Sequence, residues 1–171
     1  MNRFDKNAKK WDAKERRLKM AKNTFDAITN KITVSKNTNV LDVGAGTGLL
    51  LLHFVENVKH ITAIDYSIGM LDMLQEKLLQ AEIKNVDLIH FDANKDKLEK
   101  NKFDLVISNM TFHHFKKPNE FIKQVYESLK QGGIVCIADL ETEDGTFHTP
   151  EASEDVFHLG FNKHEFNTWL I

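Results

Sequence analysis

The sequence predicts an α/β fold: a doubly wound, mostly parallel sheet with helices on both faces. Three observations carry this. Beyond residue 38, short apolar runs alternate with longer amphipathic stretches, the form taken by strands buried between helices. The first apolar run, Asn39-Val40-Leu41, leads directly into Asp42-Val43-Gly44-Ala45-Gly46-Thr47-Gly48, a strand ending in a glycine turn. With 171 residues and 42% hydrophobic content, the chain is one domain that can bury a continuous core.

The elements follow in order. Residues 7–34 read as helical, with Trp11, Leu18, Phe25 and Ile28 as apolar points. Strands are expected at 39–43, 60–65, 86–91, 103–109 and 133–139. Between them, helices are expected at 47–57, 68–82, 94–99 and 118–130. Leu71, Leu74, Leu78 and Leu79 recur at helical spacing and read as core. Pro118 suits a first helical turn, and Gly132-Gly133 reads as the stop of the helix it opens. One further helix begins near 163–170.

Formal net charge is −2, unevenly spread: residues 1–22 hold nine Lys or Arg against three Asp or Glu, leaving −8 on the remainder. A basic arm suits an anion, but the acidic body repels a polyanion, so nucleic acid is disfavoured and a solvated helix face is preferred. The N-terminal residues lack the apolar stretch of a signal peptide, and no run is long enough to span a bilayer. The expected location is cytoplasmic, with no membrane partner. The single cysteine, Cys136, lies in an apolar strand and reads as a buried, inert thiol.

In a doubly wound sheet, ligands bind across the carboxyl ends of the strands. At the first end, Gly44, Gly46 and Gly48 are spaced two apart, whereas a dinucleotide fingerprint needs its third glycine at position 49, where Leu49 stands. NAD is therefore disfavoured, and with it an oxidoreductase. At the second end, Asp65 lies 21 residues beyond Gly44. A carboxylate there accepts two hydroxyl hydrogens at once, as a ribose diol requires. The alternative is that Asp65 caps the next helix.

The stretch D-x-G-x-G-x-G after a first strand resembles motif I of the class I S-adenosylmethionine-dependent methyltransferases. Asp65-Tyr66-Ser67-Ile68-Gly69-Met70 is similar to the family's D-x-S-x-x-M stretch, and Phe91-Asp92-Ala93 and Asn109-Met110 end the third and fourth strands at matching intervals. The resemblance covers residues 39–140, and Trp11-Asp12, Arg16-Arg17 and His113-His114 look most like the small-molecule branch that includes quinone-biosynthesis enzymes. It implies a Rossmann-like sheet of order 3-2-1-4-5, a helical lid at 1–36, a cofactor core at 37–140 and a substrate-side loop with a partial helix at 141–171, all in a single domain. The family's usual last two strands find no counterpart here, so an exposed sheet edge is expected, with a homodimer through that edge as one way to cover it.

The resemblance also implies roles. Gly44, Ala45, Gly46 and Gly48, with a helix starting near Thr47, would receive the carboxylate of the methionine moiety, and Asp42 would anchor its amino end. Asp65 would bind ribose, with Tyr66 and Met70 near adenine. Asp92 and the Ala93 backbone would read the adenine edge, and Asn109 and Met110 would lie beside the sulfonium. The activity implied is in-line methyl transfer from S-adenosylmethionine to a small-molecule acceptor. Its alternative is an inactive or partner-dependent binding module.

Such a displacement needs a base only if the nucleophile carries a proton, and His113 and His114 are the candidates. The competing reading has one of them packed and hydrogen-bonded beneath the lid. Arg16 and Arg17 would grip an acceptor carboxylate or stand as surface charges. His148 and His158 fit no standard ligand spacing, and no metal is expected from them.

Overall fold

The computed structural model describes residues 2–170; Met1 and Ile171, the outermost residues of the expected domain, lie outside that range. A short helix α1 (Arg3–Asn7) leads through a 3-10 segment, Ala8–Ala13, into α2 (Glu15–Thr29). The chain then runs β1 (Asn39–Val43), β2 (His60–Asp65), α3 (Ile68–Gln80), β3 (Val86–His90), β4 (Phe103–Asn109), α4 (Pro118–Ser128) and β5 (Leu129–Ala138). Two short helices, α5 (Pro150–Ser153) and α6 (Lys163–Thr168), follow.

The five strands form one parallel sheet in the order β3-β2-β1-β4-β5, as expected. Because β1 is central, with Asp42 opposite Ala63 on one side and Ile107 on the other, its carboxyl end is the switch point where the chain reverses direction across the sheet. One face packs Val40, Ile61, Ala63, Leu105 and Ile107 against Ile28, Phe54, Leu74 and Leu78. The other packs Leu41, Val43, Ile64 and Val106 against Phe112, Phe121, Ile122 and Val125. Alternate residues of one strand thus serve opposite layers, as a two-period requires. The outer edge of β5 has no strand partner among the described residues.

Several expectations are corrected. No α-helix spans 47–57: Gly48 adopts φ +83°, outside the helical region, so the segment folds as successive turns around a single 3-10 turn, Leu51–His53. It still buries Leu50, Leu51 and Phe54. No helix forms at 94–99, because Asp92 accepts from the backbone and side chain of Asn94 while its own N–H goes to Asp96. The Gly132-Gly133 pair does not stop α4, which ends at Ser128; it lies inside β5, where the register slips between Phe103 and Leu105. The expected long N-terminal helix is broken at Lys14, whose backbone is extended. Leu71, Leu74 and Leu78 are buried, but Leu79 is 68% exposed on the outer face of α3. Cys136 is half-buried, and burial pushes its thiol pKa upward.

Candidate functional site

The glycine turn is hooked onto the neighbouring strand: the N–H groups of Gly44 and Ala45 both donate to the Ile64 carbonyl, at 2.9 and 3.1 Å. Gly44 has φ +71°, and a Cβ there would overlap the side chain of Thr111, so glycine is required on two counts. The Gly46 N–H donates to Asp65 Oδ2 at 2.8 Å, and Ser67 N–H donates to Oδ1 at 2.7 Å. Asp65 is thereby fixed between the turn and the start of α3. Burial raises its carboxyl pKa, partly offset by those two N–H donors.

Asp42 is almost wholly buried, and its Oδ2 has no hydrogen-bond partner. Desolvation, with the nearby Asp65 adding to it, pushes its carboxyl up to about 8. A buried, unpartnered carboxylate oxygen beside an open turn suits a cationic or hydrogen-donating ligand group. Nothing comes within 4 Å of a Cβ built at Gly46, so the turn faces free space there. Gly48 instead lies over Leu74, and the helix N-terminus expected near Thr47 is absent.

The N-terminal segment closes over this corner through contacts that no local motif announces. Asp5 accepts from Ser67 Oγ at 2.6 Å and from Gly69 N–H at 3.0 Å. Burial pushes the Asp5 carboxyl up, but the donors from Ser67, Gly69 and Asn2 outweigh it and leave it below its ordinary value. A Cβ at Gly69 would come within 2.9 Å of the Asp5 backbone, which explains a glycine in the first turn of α3. Asp12 accepts from Thr47 Oγ1 at 2.5 Å and pairs with Lys77, whose ammonium also donates to the Thr47 carbonyl at 2.6 Å.

Beside these contacts lies a depression of 460 Å³ lined by Asn2, Asp5, Tyr66, His90, Asp92 and Lys95 among others. Tyr66 is exposed there, whereas Met70 is buried in the core. Asp92 is held below its usual value, first by the Asn94 N–H and then by Lys95, 2.9 Å away. Ala93 packs against the second core face. At the end of β4, Asn109 accepts from Thr24 at 3.1 Å, and Met110 adopts φ +60°, an uncommon conformation for a side chain of its size. A larger depression, 550 Å³, lies between Glu141 and Asn167, and none of the expected cofactor residues lines it.

The histidines form a separate cluster. Asp139, just beyond β5, accepts at Oδ2 from the N–H groups of Thr111 and Phe112, at 3.0 and 2.7 Å. Its Oδ1 accepts from Leu140 N–H and lies 2.6 Å from Nδ1 of His113. Nδ1 of His114 lies 2.5 Å from the Asp155 carbonyl, which can only accept. In both rings Nδ1 therefore carries the proton, and Nε2 presents a lone pair. His113 is 1% exposed, and its Nε2 has no partner. His114 is packed edge-on by Phe4. Burial, with His113 adding to it, pushes its pKa down to about 4.

His148, arriving on the loop after β5, joins this pair instead of His158: one ring nitrogen from each of His113, His114 and His148 lies within 4.8 Å of the others. Burial, then His113, lowers the His148 pKa. Arg17 stacks on Trp11 at 3.5 Å and Arg16 on Phe147 at 4.3 Å. Sequence reasoning missed Asp5 and Lys77, noted Asp12 only within the Trp11-Asp12 resemblance, and did not connect Asp139 or His148 to the histidine pair; no short-range signal marks any of these contacts.

Residues 41–137 match the family described as methyltransferase domain. An uncharacterized methyltransferase of Schizosaccharomyces pombe is 30% identical over 148 residues, covering 81% of this chain and 52% of that protein. A demethylmenaquinone methyltransferase of Listeria monocytogenes is 34% identical over 108 residues, covering 61% of this chain and 46% of the relative. The chain thus spans about half the length of the curated relatives it matches. Among solved structures, an S-adenosylmethionine-dependent methyltransferase from Aquifex aeolicus superposes with a TM-score of 0.76 at 24% identity, over 97% of this chain and 85% of that one. That likeness shows the fold.

Proposed function

The chain belongs to the methyltransferase domain family, and from that premise we propose that it binds S-adenosylmethionine at the ends of β1 to β3 and transfers its methyl group to a small-molecule acceptor. When bound, the cofactor supplies an electrophilic methyl carbon on a sulfonium. The observation that carries the reading is the buried, unpartnered Oδ2 of Asp42 beside the open Gly46 turn. Asp42 fits the ammonium of an amino-acid moiety; the N–H groups of Gly44, Ala45, Gly46 and Gly48 are already given to Ile64, Asp65 and Ala45, so the open turn offers the moiety's carboxylate room and not the donors expected of those glycines.

Each oxygen of Asp65 already accepts one backbone N–H and keeps lone-pair capacity for one ribose hydroxyl. Its orientation is therefore set before ligand arrives. Tyr66 and Asp92 border a depression of a size suited to adenine. The N-terminal segment, latched by Asp5 and Asp12, serves as a lid that excludes water from the displacement. On the acceptor side, Nε2 of His113, aligned through Asp139, takes the proton from a hydroxyl acceptor.

Calorimetric titration of the full chain with S-adenosylmethionine and S-adenosylhomocysteine, with NAD as control, tests this. Micromolar binding of both adenosyl ligands and none of NAD is expected. Failure of both to bind would sink the reading, and NAD competition would replace the cofactor.

A further inference from the structure

The histidine cluster combines features that a packed polar core does not need. His113 and His114 are adjacent in a tight 3-10 turn, Phe112–His114, and their ring centroids lie 4.0 Å apart. His148 approaches His113 to 5.1 Å. No hydrogen bond joins the three rings among the described residues; instead, Nδ1 of each adjacent ring is held by an outside acceptor, Asp139 or the Asp155 carbonyl. Nε2 of His113 and Nδ1 of His148 are both buried without a partner. Three clustered imidazoles, two of them anchored at Nδ1 from outside and two with a buried, unpartnered nitrogen, match the arrangement of metal ligands with a supporting shell.

We propose that His113, His114 and His148 bind one divalent transition ion of the zinc class, leaving a fourth position open. Neutral imidazoles suit such an ion, and the absence of oxygen ligands from the trio disfavours magnesium and calcium. Three protein nitrogens with a vacant fourth site form the open set found where a metal meets water or substrate. Tetrahedral coordination brings ligand nitrogens to about 3.3 Å from one another, against a separation within 4.8 Å here. His148, half-buried on a loop between β5 and α5, is the least confined of the three rings.

Ion binding needs neither cofactor nor acceptor, so this proposal goes beyond the methyl-transfer reading. It also modifies it: an ion on Nε2 of His113 occupies the lone pair that would take a proton. In the metal-bound form, coordination would instead lower the pKa of a hydroxyl or water in the fourth position, whose proton would pass to solvent.

The test uses the full chain after chelation and dialysis, titrated with Zn²⁺ by calorimetry and with Co²⁺ by visible spectroscopy. One equivalent of each ion is expected, with the d–d bands of a tetrahedral cobalt site. His148→Ala should weaken Zn²⁺ binding at least 100-fold while S-adenosylhomocysteine binding is retained, which separates site loss from unfolding and from failure of the cofactor reading. His164→Ala, on the exposed face of α6, should change nothing. X-ray absorption of the wild-type zinc complex should show three imidazole nitrogens at about 2.0–2.1 Å. Absence of stoichiometric binding, binding that survives His148→Ala, or an oxygen-only shell would overturn the proposal.

Discussion

The ends of β1 and β2 and the ends of β4 and β5 put polar groups on the same edge of one sheet in opposite ways. At β1 and β2, the acidic groups Asp42 and Asp65 border a glycine turn, and the Gly46 and Ser67 N–H groups hold Asp65 in place. At β4 and β5, a carboxylate lies behind, Asp139 backing His113, and what faces inward is imidazole nitrogen. The first corner presents carboxyl oxygens; the second presents imidazole nitrogens. Under the proposed methyl transfer, the first would hold the donor and the second the group that accepts. The difference teaches that one strand-end geometry presents carboxyl oxygens or imidazole nitrogens according to the side chains placed behind it.

The sharpest way to break this comparison is at the glycine turn. Gly44→Ala forces a side chain into Thr111 at a positive φ, and the expected loss is about 2–4 kcal/mol of folding stability. Denaturant unfolding reads it. A variant as stable as the parent would show that the turn has slack the structure does not display.

The next effect is electrostatic. The folded Asp42 carboxyl titrates at about 8 against an ordinary 3.8, so between those values the native state holds a proton that the unfolded chain has released. Stability therefore falls as pH rises through that window, by about 1–3 kcal/mol between pH 5 and 8. Asp42→Asn should flatten the decline, and melting temperatures across pH measure it. An equally steep profile in the variant would assign the slope to other groups.

The smallest effect separates lid from corner. The Asp12–Lys77 pair is partly exposed on both sides, so Asp12→Ala should cost under about 1 kcal/mol of stability. Stopped-flow release of S-adenosylhomocysteine should nonetheless quicken several-fold. Unchanged release would remove the lid role.

The two corners also differ in how far the sequence discloses them. Five strands were readable because each is a compact apolar run, and the glycine turn with Asp65 was readable because its parts are close in the chain. Helices at 47–57 and 94–99 were misread because the Gly48 backbone and the Asp92 side chain redirect the chain in ways periodicity does not record. The histidine corner was only half visible. His113 and His114 stand out as a pair, but Asp139 and His148 reach them from 26 and 35 residues away through β5 and the loop beyond it. The latch of Asp12 on Thr47 spans 35 residues, and that of Asp5 on Ser67 spans 62. Long-range contacts of this kind follow from topology, which local pattern constrains only loosely.

The central claim is that the adenosyl ligand belongs to the glycine corner and not to the histidine corner. Calorimetry of S-adenosylhomocysteine with the parent chain, Asp65→Ala and His113→Ala tests it most directly. The account predicts about 100-fold weaker binding in the Asp65 variant, equivalent to about 2.7 kcal/mol, and an affinity within about twofold of the parent for His113→Ala. The reverse pattern, with binding lost at His113 and kept at Asp65, would contradict it.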